Sequence, residues 1–131
     1  MASDGSSEYI PVAEFRSALR RFLRHTEQVA RSAGLTPQRY LLLLMVKGAP
    51  DGSEMSTVTE LSGRLQLAQS TVTELVGRAE QAGLLIRRPS ETDARVAHVC
   101  LTEEGERRLE QAFATLESDR ETLRETILSL E

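Results

Sequence analysis

The residues with the greatest potential for chemistry are one cysteine and two histidines, Cys100, His98 and His25. Thiolate and imidazole groups are good zinc ligands, but a closed structural zinc site needs four ligands. Cys100 and His98 lie two residues apart and provide at most half of such a site. Cys100 could also act as a redox sensor, but we interpret it as a small packing residue. The sequence therefore predicts no metal site, and a lone cysteine fits a reducing cytoplasm.

The sequence lacks the motifs that most often build an enzyme active site. It contains no glycine-rich phosphate loop, dinucleotide fingerprint, nucleophile elbow or paired-histidine zinc helix. Its remaining polar residues suggest no set of acid, base and nucleophile. We therefore predict that the chain is not an enzyme and needs no cofactor.

The charges are unevenly distributed along the chain. The 131 residues carry 20 acidic and 16 Lys or Arg side chains, and this net charge of −4 argues against a nucleic-acid partner. Residues 101–131, however, hold nine acidic and four basic side chains, whereas residues 57–100 hold five of each. The acidic excess thus belongs to the last segment, and the neutral middle segment remains compatible with DNA binding.

Length and composition indicate one domain. The chain is 40% hydrophobic and 27% charged, as in ordinary globular proteins. Residues 1–8 are polar, and we predict a disordered tail there rather than a signal peptide. The longest apolar run, residues 40–46, is too short to span a membrane. We therefore expect a single domain over residues 9–131, in the cytoplasm and without membrane contact.

Periodic apolar residues and capping signals predict the order of the helices. An amphipathic helix is expected from Val12 to Ala30, and a second helix begins at Thr36-Pro37. That second helix is apolar on every face over residues 40–46, which indicates a buried central helix. A capping box at residues 57–60 opens a short third helix, and a fourth is expected from about residue 69 to residue 82.

The pattern changes after Gly83, where β-prone runs at residues 84–88 and 95–101 predict a hairpin. Helical spacing returns from Thr102 onwards. This last segment carries a heptad-like stripe that another helix must cover, from this chain or from a second subunit. The stripe consists of Leu109, Phe113, Leu116, Arg120, Leu123, Ile127 and Leu130. We favour a dimer seam, in which the polar Arg120 would set the register.

Two short helices joined by a tight turn and followed by a hairpin are typical of DNA-binding proteins. Residues 56–102 resemble the winged helix-turn-helix of the MarR family of bacterial transcriptional regulators. Leu35-Thr36-Pro37 and the segment at residues 101–105 (LTEEG) extend the resemblance over nearly the whole chain. It implies a mainly α fold with a small β-hairpin wing at residues 84–101. Dimerisation helices at residues 9–34 and 102–131 would flank a DNA-binding lobe at residues 35–101.

The resemblance also implies a function. Such proteins are homodimers that bind a pseudo-palindromic operator in double-stranded DNA, usually repress nearby genes, and often release DNA when a small phenolic or anionic effector binds. The implied dimer interface comprises Phe15, Leu19, Leu109, Phe113, Leu116, Leu123, Ile127 and Leu130. An effector pocket could include Phe22, Thr26 and Tyr40, for which a plain core role is the alternative.

The implied DNA contacts divide between a helix and the wing. They are Gln69, Ser70, Thr71, Thr73, Glu74 and Arg78 on the fourth helix, and Arg87, Arg88 and Arg95 on the wing. Gln69 could pair with adenine, and Arg78 could reach guanine or phosphate. The three hydroxyl residues could instead be solvated helix surface. Arg95 is expected to enter the minor groove.

Two positions depart from the family pattern. Ala94 replaces the first arginine of the Asp-Arg-Arg wing motif, and Glu74 stands where the family often has a basic residue. Glu74 is either a cytosine-binding specificity element or a surface residue without a DNA role. A rival hypothesis from another class is a winged-helix protein-interaction module whose acidic surface binds a partner protein.

Overall fold

A computed structural model describes residues 5–130 of the chain and confirms a mainly helical fold with one antiparallel hairpin. The elements are α1 (Gly5–Ser32), α2 (Pro37–Lys47), α3 (Val58–Leu65), α4 (Gln69–Gln81), β1 (Leu85–Pro89), β2 (Ala97–Leu101), α5 (Glu103–Thr115) and α6 (Glu117–Leu128). Within the described part, no helix has the length and apolar character that crossing a membrane requires.

The first helix begins earlier than the sequence predicted. Residues 5–8 form the first turn of α1, so the predicted disordered tail is wrong there, and residues 1–4 lie outside the described residues. Once the amphipathic segment is helical, each residue added at its end gains a hydrogen bond without a further nucleation cost. The carboxylate of Glu8 also lies at the positive end of the helix dipole.

Helix α2 forms the centre of the core. The Thr36 hydroxyl accepts the backbone N–H of Arg39, and Pro37 occupies the first helical turn, as the sequence predicted. Leu42, Leu43 and Val46 are fully buried. One side of α2 is open, however, because 42% of Leu41 is exposed there and the rest of the described chain does not cover it.

The two helices of the helix-turn-helix are fixed by local signals. Thr57 and Glu60 form the predicted capping box at the start of α3. Gln66 ends α3 in the left-handed conformation, with φ of 58°. Gly83 follows α4 with φ of 78°, a value that residues with a Cβ atom rarely adopt.

The hairpin is attached to the start of α3. β1 pairs with β2 so that Arg87 lies opposite Val99 and Arg88 opposite His98. Val99, which is 1% exposed, also exchanges two backbone hydrogen bonds with Ser56, of 3.1 and 2.8 Å. The residue before the Thr57 cap is thereby held against the wing.

The last segment is two helices rather than one. The backbone turns at Leu116 (φ −92°, ψ 8°), whose side chain is fully buried. Arg120 donates from Nη1 to the Phe113 carbonyl at 2.8 Å, and its guanidinium lies 3.6 Å from the centre of the Phe113 ring. Arg120 therefore joins the two helices across the turn instead of standing free in a seam.

Part of the predicted dimer seam belongs to this chain's own core. Leu109 and Leu116 are 5% and 0% exposed and pack in the main hydrophobic cluster. Assigning these two leucines to a dimer interface is wrong, because α5 covers the core formed by α1 and α2. Phe113, Ile127 and Leu130 are exposed, and Phe15, Leu19 and Leu123 are half-buried.

Candidate nucleic-acid interface

Helix α4 has one buried and one exposed face. Val72, Val76 and Ala79 are fully buried and fix the helix to the core. The six residues predicted for DNA contact lie on the other side, where all six are exposed: Gln69, Ser70, Thr71, Thr73, Glu74 and Arg78. The helical period therefore places the buried residues that fix α4 to the core on one side and the exposed polar residues on the other.

The first turn of α4 offers uncapped amide groups. Ala68 occupies the N-cap position, and no side chain caps the helix there. Hydrogen-bond donors and the positive end of the helix dipole thus accompany the side chains of Gln69 and Ser70. This is an environment that a DNA phosphate favours.

Arg78 and Glu74 form an ion pair one helical turn apart. Both side chains are more than 60% exposed, and exposed pairs of this kind contribute only about 0–1 kcal/mol. The pair restrains Arg78 without burying it, so the guanidinium can still exchange this carboxylate for a DNA group.

The three wing arginines have different surroundings. Arg87 donates from Nε to Glu80 of α4 at 2.9 Å, which ties the wing to that helix. Arg95, 91% exposed, contacts Asp93 through its backbone N–H at 3.0 Å and its Nε at 3.3 Å. Arg88 is exposed and forms no ion pair within residues 5–130.

The predicted effector residues do not line one common pocket. Phe22 lines a cavity of about 300 Å³ between α1 and α6, together with Arg21 and His25. Thr26 uses its hydroxyl to donate to the Phe22 carbonyl in its own helix. Tyr40 is 5% exposed in the main core, and burial raises the pKa of its phenol, partly offset by Arg120. For Tyr40 the alternative core role is therefore the correct one.

Sequence reasoning missed a second cavity, of about 440 Å³, between α2 and α5. Lys47 and Phe113 are among its lining residues. Lys47 binds Glu54 at 3.0 Å and Glu106 at 2.9 Å, and these hydrogen bonds, with Glu106 the larger influence, raise the pKa of its ammonium group. The periodic spacing of apolar residues predicts both helices, but it does not predict the cavity between them.

Cys100 and His98 are half-buried in β2. Among the described residues, no group of three or more His, Cys, Asp or Glu side chains is placed to hold a metal ion.

A sequence model of the MarR family matches residues 33–96, from the end of α1 to the turn of the wing. The fold before and after this segment also agrees with solved structures of that family. Residues 33–96 thus resemble the MarR family in sequence, and the whole chain shares its fold.

Three solved structures illustrate the agreement. MarR from Listeria monocytogenes is 19% identical, with a TM-score of 0.73 over 98% of this chain and 83% of that one. A mutant of MarR from E. coli complexed with operator DNA is 22% identical, with a TM-score of 0.68 over 92% and 85%. A mutant of MepR from S. aureus bound to an oligodeoxyribonucleotide is 21% identical, with a TM-score of 0.68 over 87% and 81%. At these identities the similarity establishes the shared fold. A comparison with curated proteins found no match.

Proposed function

We propose that this protein is a homodimeric, sequence-specific DNA-binding transcription regulator that represses nearby genes. One observation carries the proposal: α4 exposes a continuous polar face, with Arg78 at its far end, beside an arginine-bearing hairpin. A helix held in this way can enter the major groove while the wing reaches the adjacent backbone or minor groove. The MarR and MepR structures with bound DNA support the same assignment.

The neutral charge of residues 57–100 implies a particular mode of binding. A weak positive field gives little nonspecific attraction, so affinity depends on contacts made by individual side chains. Gln69 and Arg78 are the groups best suited to bind adenine and guanine edges. We therefore expect a large difference in affinity between a selected duplex and a scrambled one.

Dimerisation is proposed through the terminal helices. Exposed apolar side chains lie at the start of α1 and on or just after α6: Tyr9, Ile10, Val12, Ile127, Leu128 and Leu130. A second subunit would remove this apolar surface from water. A two-fold dimer would present two copies of α4 to half-sites about 10 bp apart.

Effector release completes the proposal, and the cavity between α1 and α6 is the proposed site. Phe22 supplies an aromatic wall and Arg21 a guanidinium, while Asp119 of the same cavity is paired with His25 at 2.7 Å. This lining suits a small aromatic ligand whose single anionic group lies beside Arg21. Benzoate should raise the melting temperature of the wild-type protein and weaken its DNA binding. Both effects should be smaller in Arg21→Gln, and equal effects in that variant would contradict this site.

Titration of a labelled duplex tests the DNA-binding function. A duplex from the region upstream of the gene should bind the protein in a salt-sensitive, competitor-resistant manner. The double substitution Arg88→Glu and Arg95→Glu should weaken binding by about 100-fold, because each arginine that binds DNA contributes about 1–3 kcal/mol. Arg124→Glu on α6 is the matched control and should bind normally.

Two results would contradict this function. Absence of competitor-resistant binding to any upstream fragment would refute sequence-specific DNA binding. If the double substitution abolished regulation in cells without weakening DNA binding, the protein-interaction module would be the better description.

A further inference from the structure

A cleft separates the start of α3 from the wing. Its volume is about 280 Å³, and residues 57–59 form one wall. Arg87 from β1 and Arg95 from the wing turn form the other. The cleft includes no residue of α4, so it is distinct from the helix face described above.

The two walls are held together by the backbone. The hydrogen bonds between Ser56 and Val99 join the chain before α3 to the centre of β2. Ser56 is 2% exposed, which makes this a buried and fixed junction. The spacing between α3 and the arginines is therefore a property of the folded lobe.

Both arginines keep their terminal amino groups available. Arg87 contacts Glu80 through Nε, and Arg95 contacts Asp93 through Nε. Neither pair of Nη atoms has a hydrogen bond within residues 5–130. The terminal fork of a guanidinium matches two oxygens of a phosphate, and exposed ion pairs rearrange easily.

A hydroxyl group completes the donor set. Thr59 is exposed, lines the same cleft and forms no side-chain hydrogen bond within the described chain. Thr57, in contrast, uses its hydroxyl to cap α3. Apolar side chains of Val96, Ala97 and Val99 also line the cleft and suit the deoxyribose attached to a phosphate.

We infer that this cleft binds one backbone phosphodiester of duplex DNA, through the Nη groups of Arg87 and Arg95 and the hydroxyl of Thr59. The inference rests on the proposed function and deepens it in two ways. It assigns Thr59, on the first helix of the helix-turn-helix, to the DNA interface. It also makes Arg95 a phosphate ligand rather than a residue inserted in the minor groove.

A methylphosphonate scan tests the inference. The probe is a duplex selected by the wild-type protein from a random pool, in which each phosphate is made neutral in turn. One position per half-site should weaken wild-type binding about tenfold and leave Arg87→Gln almost unaffected, because that variant already lacks the charge-assisted hydrogen bond.

The variants should also differ on the unmodified duplex. Arg87→Gln should reduce the slope of log affinity against log salt by about 0.9 for each phosphate that the protein no longer neutralises. Thr59→Val should weaken binding about tenfold without changing that slope, because it removes a hydrogen bond but no charge. Arg124→Gln on α6 and Thr115→Val at the exposed end of α5 are matched controls, and melting curves verify that all variants fold.

Three results would overturn the inference. If wild type binds the duplex but Thr59→Val and Arg87→Gln respond to every methylphosphonate as wild type does, the cleft holds no phosphodiester and the proposed function stands. If wild type binds no duplex, the proposed function itself fails. If inorganic phosphate raises the melting temperature of wild type but not of Arg87→Gln, and no methylphosphonate changes duplex binding, the cleft is a free-anion site.

Discussion

Acidic side chains accompany most arginines of the candidate interface. Arg78 pairs with Glu74, and Arg87 pairs with Glu80. The acids lie within one helical turn or on the neighbouring element, which accounts for the neutral charge of this lobe. Each pair orients a guanidinium while lowering the positive field that would otherwise attract any phosphate. Such an arrangement favours specific over nonspecific binding.

Glu74→Gln tests this balance at a single residue. Removing the carboxylate frees Arg78 and abolishes a repulsive charge on the exposed face of α4. We expect several-fold tighter binding to a scrambled duplex and a smaller ratio of specific to nonspecific affinity. Fluorescence anisotropy with selected and scrambled duplexes measures both quantities.

Glu117→Gln on α6 is the matched control for this charge change. A different result would be that Glu74→Gln binds only the selected duplex more weakly, and that this loss depends on one C·G pair of that duplex. That result would identify Glu74 as a cytosine-binding residue.

A second carboxylate links stability to pH. Glu104 binds Arg107 and Arg108, which lowers its pKa from 4.5 to about 2. A carboxyl group with a lower pKa in the folded state stabilises that state above the unfolded pKa. This contribution is lost as the pH falls from about 4.5 to about 2. Arg108 also donates to the Gly34 carbonyl at 2.9 Å, so the cluster joins α5 to the end of α1.

Glu104→Gln should therefore show a smaller loss of stability than wild type between pH 4.5 and pH 2. Urea unfolding midpoints measured across this range test the expectation, with Glu125→Gln as a control on α6. Parallel acid profiles for wild type and Glu104→Gln would contradict a stabilising role for the ionised carboxylate.

At the scale of elements, the first turn of α5 packs so close to the wing that only a glycine fits at the contact. Gly105 lies in the first turn of α5, where a Cβ atom would collide with the Leu84 carbonyl oxygen. Thr102 holds this approach through its backbone N–H to Leu84 and its hydroxyl to Gly83. The junction between the wing and α5 thus depends on a glycine for space rather than for conformation.

Gly105→Ala should destabilise the protein by about 1–3 kcal/mol, because the added methyl group forces the backbone apart. Gly63→Ala, in the middle of α3 with open space around it, should instead stabilise it by about 0.5–1 kcal/mol. Urea unfolding of both variants provides the measurement. Equal effects of the two substitutions would show that the close approach at Gly105 is unimportant.

For the whole molecule, charge and apolar surface are separated in space. The acidic excess lies on α5 and α6, whereas the candidate interface lies on α4 and the wing. Acidic helices near DNA would be repelled by phosphates, so we expect the molecule to bind a duplex with α6 pointing away from it. The exposed apolar residues of α1 and α6 remain free for a second subunit.

Light scattering should give twice the 14.5 kDa mass of the chain at micromolar concentration. Ile127→Glu should shift the mass toward the monomer and weaken duplex binding, since a buried unpaired charge opposes association. Ile86→Glu introduces the same charge on the wing and should leave the mass unchanged. A monomeric wild-type protein would refute dimerisation by the terminal helices.

The sequence by itself determined the order of the elements up to the hairpin and the two faces of α4, but neither the start of α1 nor the turn at Leu116. Thr36, Thr57 and Gly83 mark helix ends through hydrogen bonds and backbone angles set within a few residues, so local reading suffices. The separation of Val72 and Val76 from the exposed residues of α4 follows from the helical period alone.

Only the tertiary structure decided which apolar and charged groups meet. Leu109 and Leu116 share a stripe with Ile127, yet the first two are core and the third is exposed. His25 binds Asp119 at 2.7 Å across 94 positions of the chain. The cleft between Thr59 and the wing arises in the same way. Such contacts depend on how distant elements pack, and a periodic pattern specifies a face without specifying what covers it.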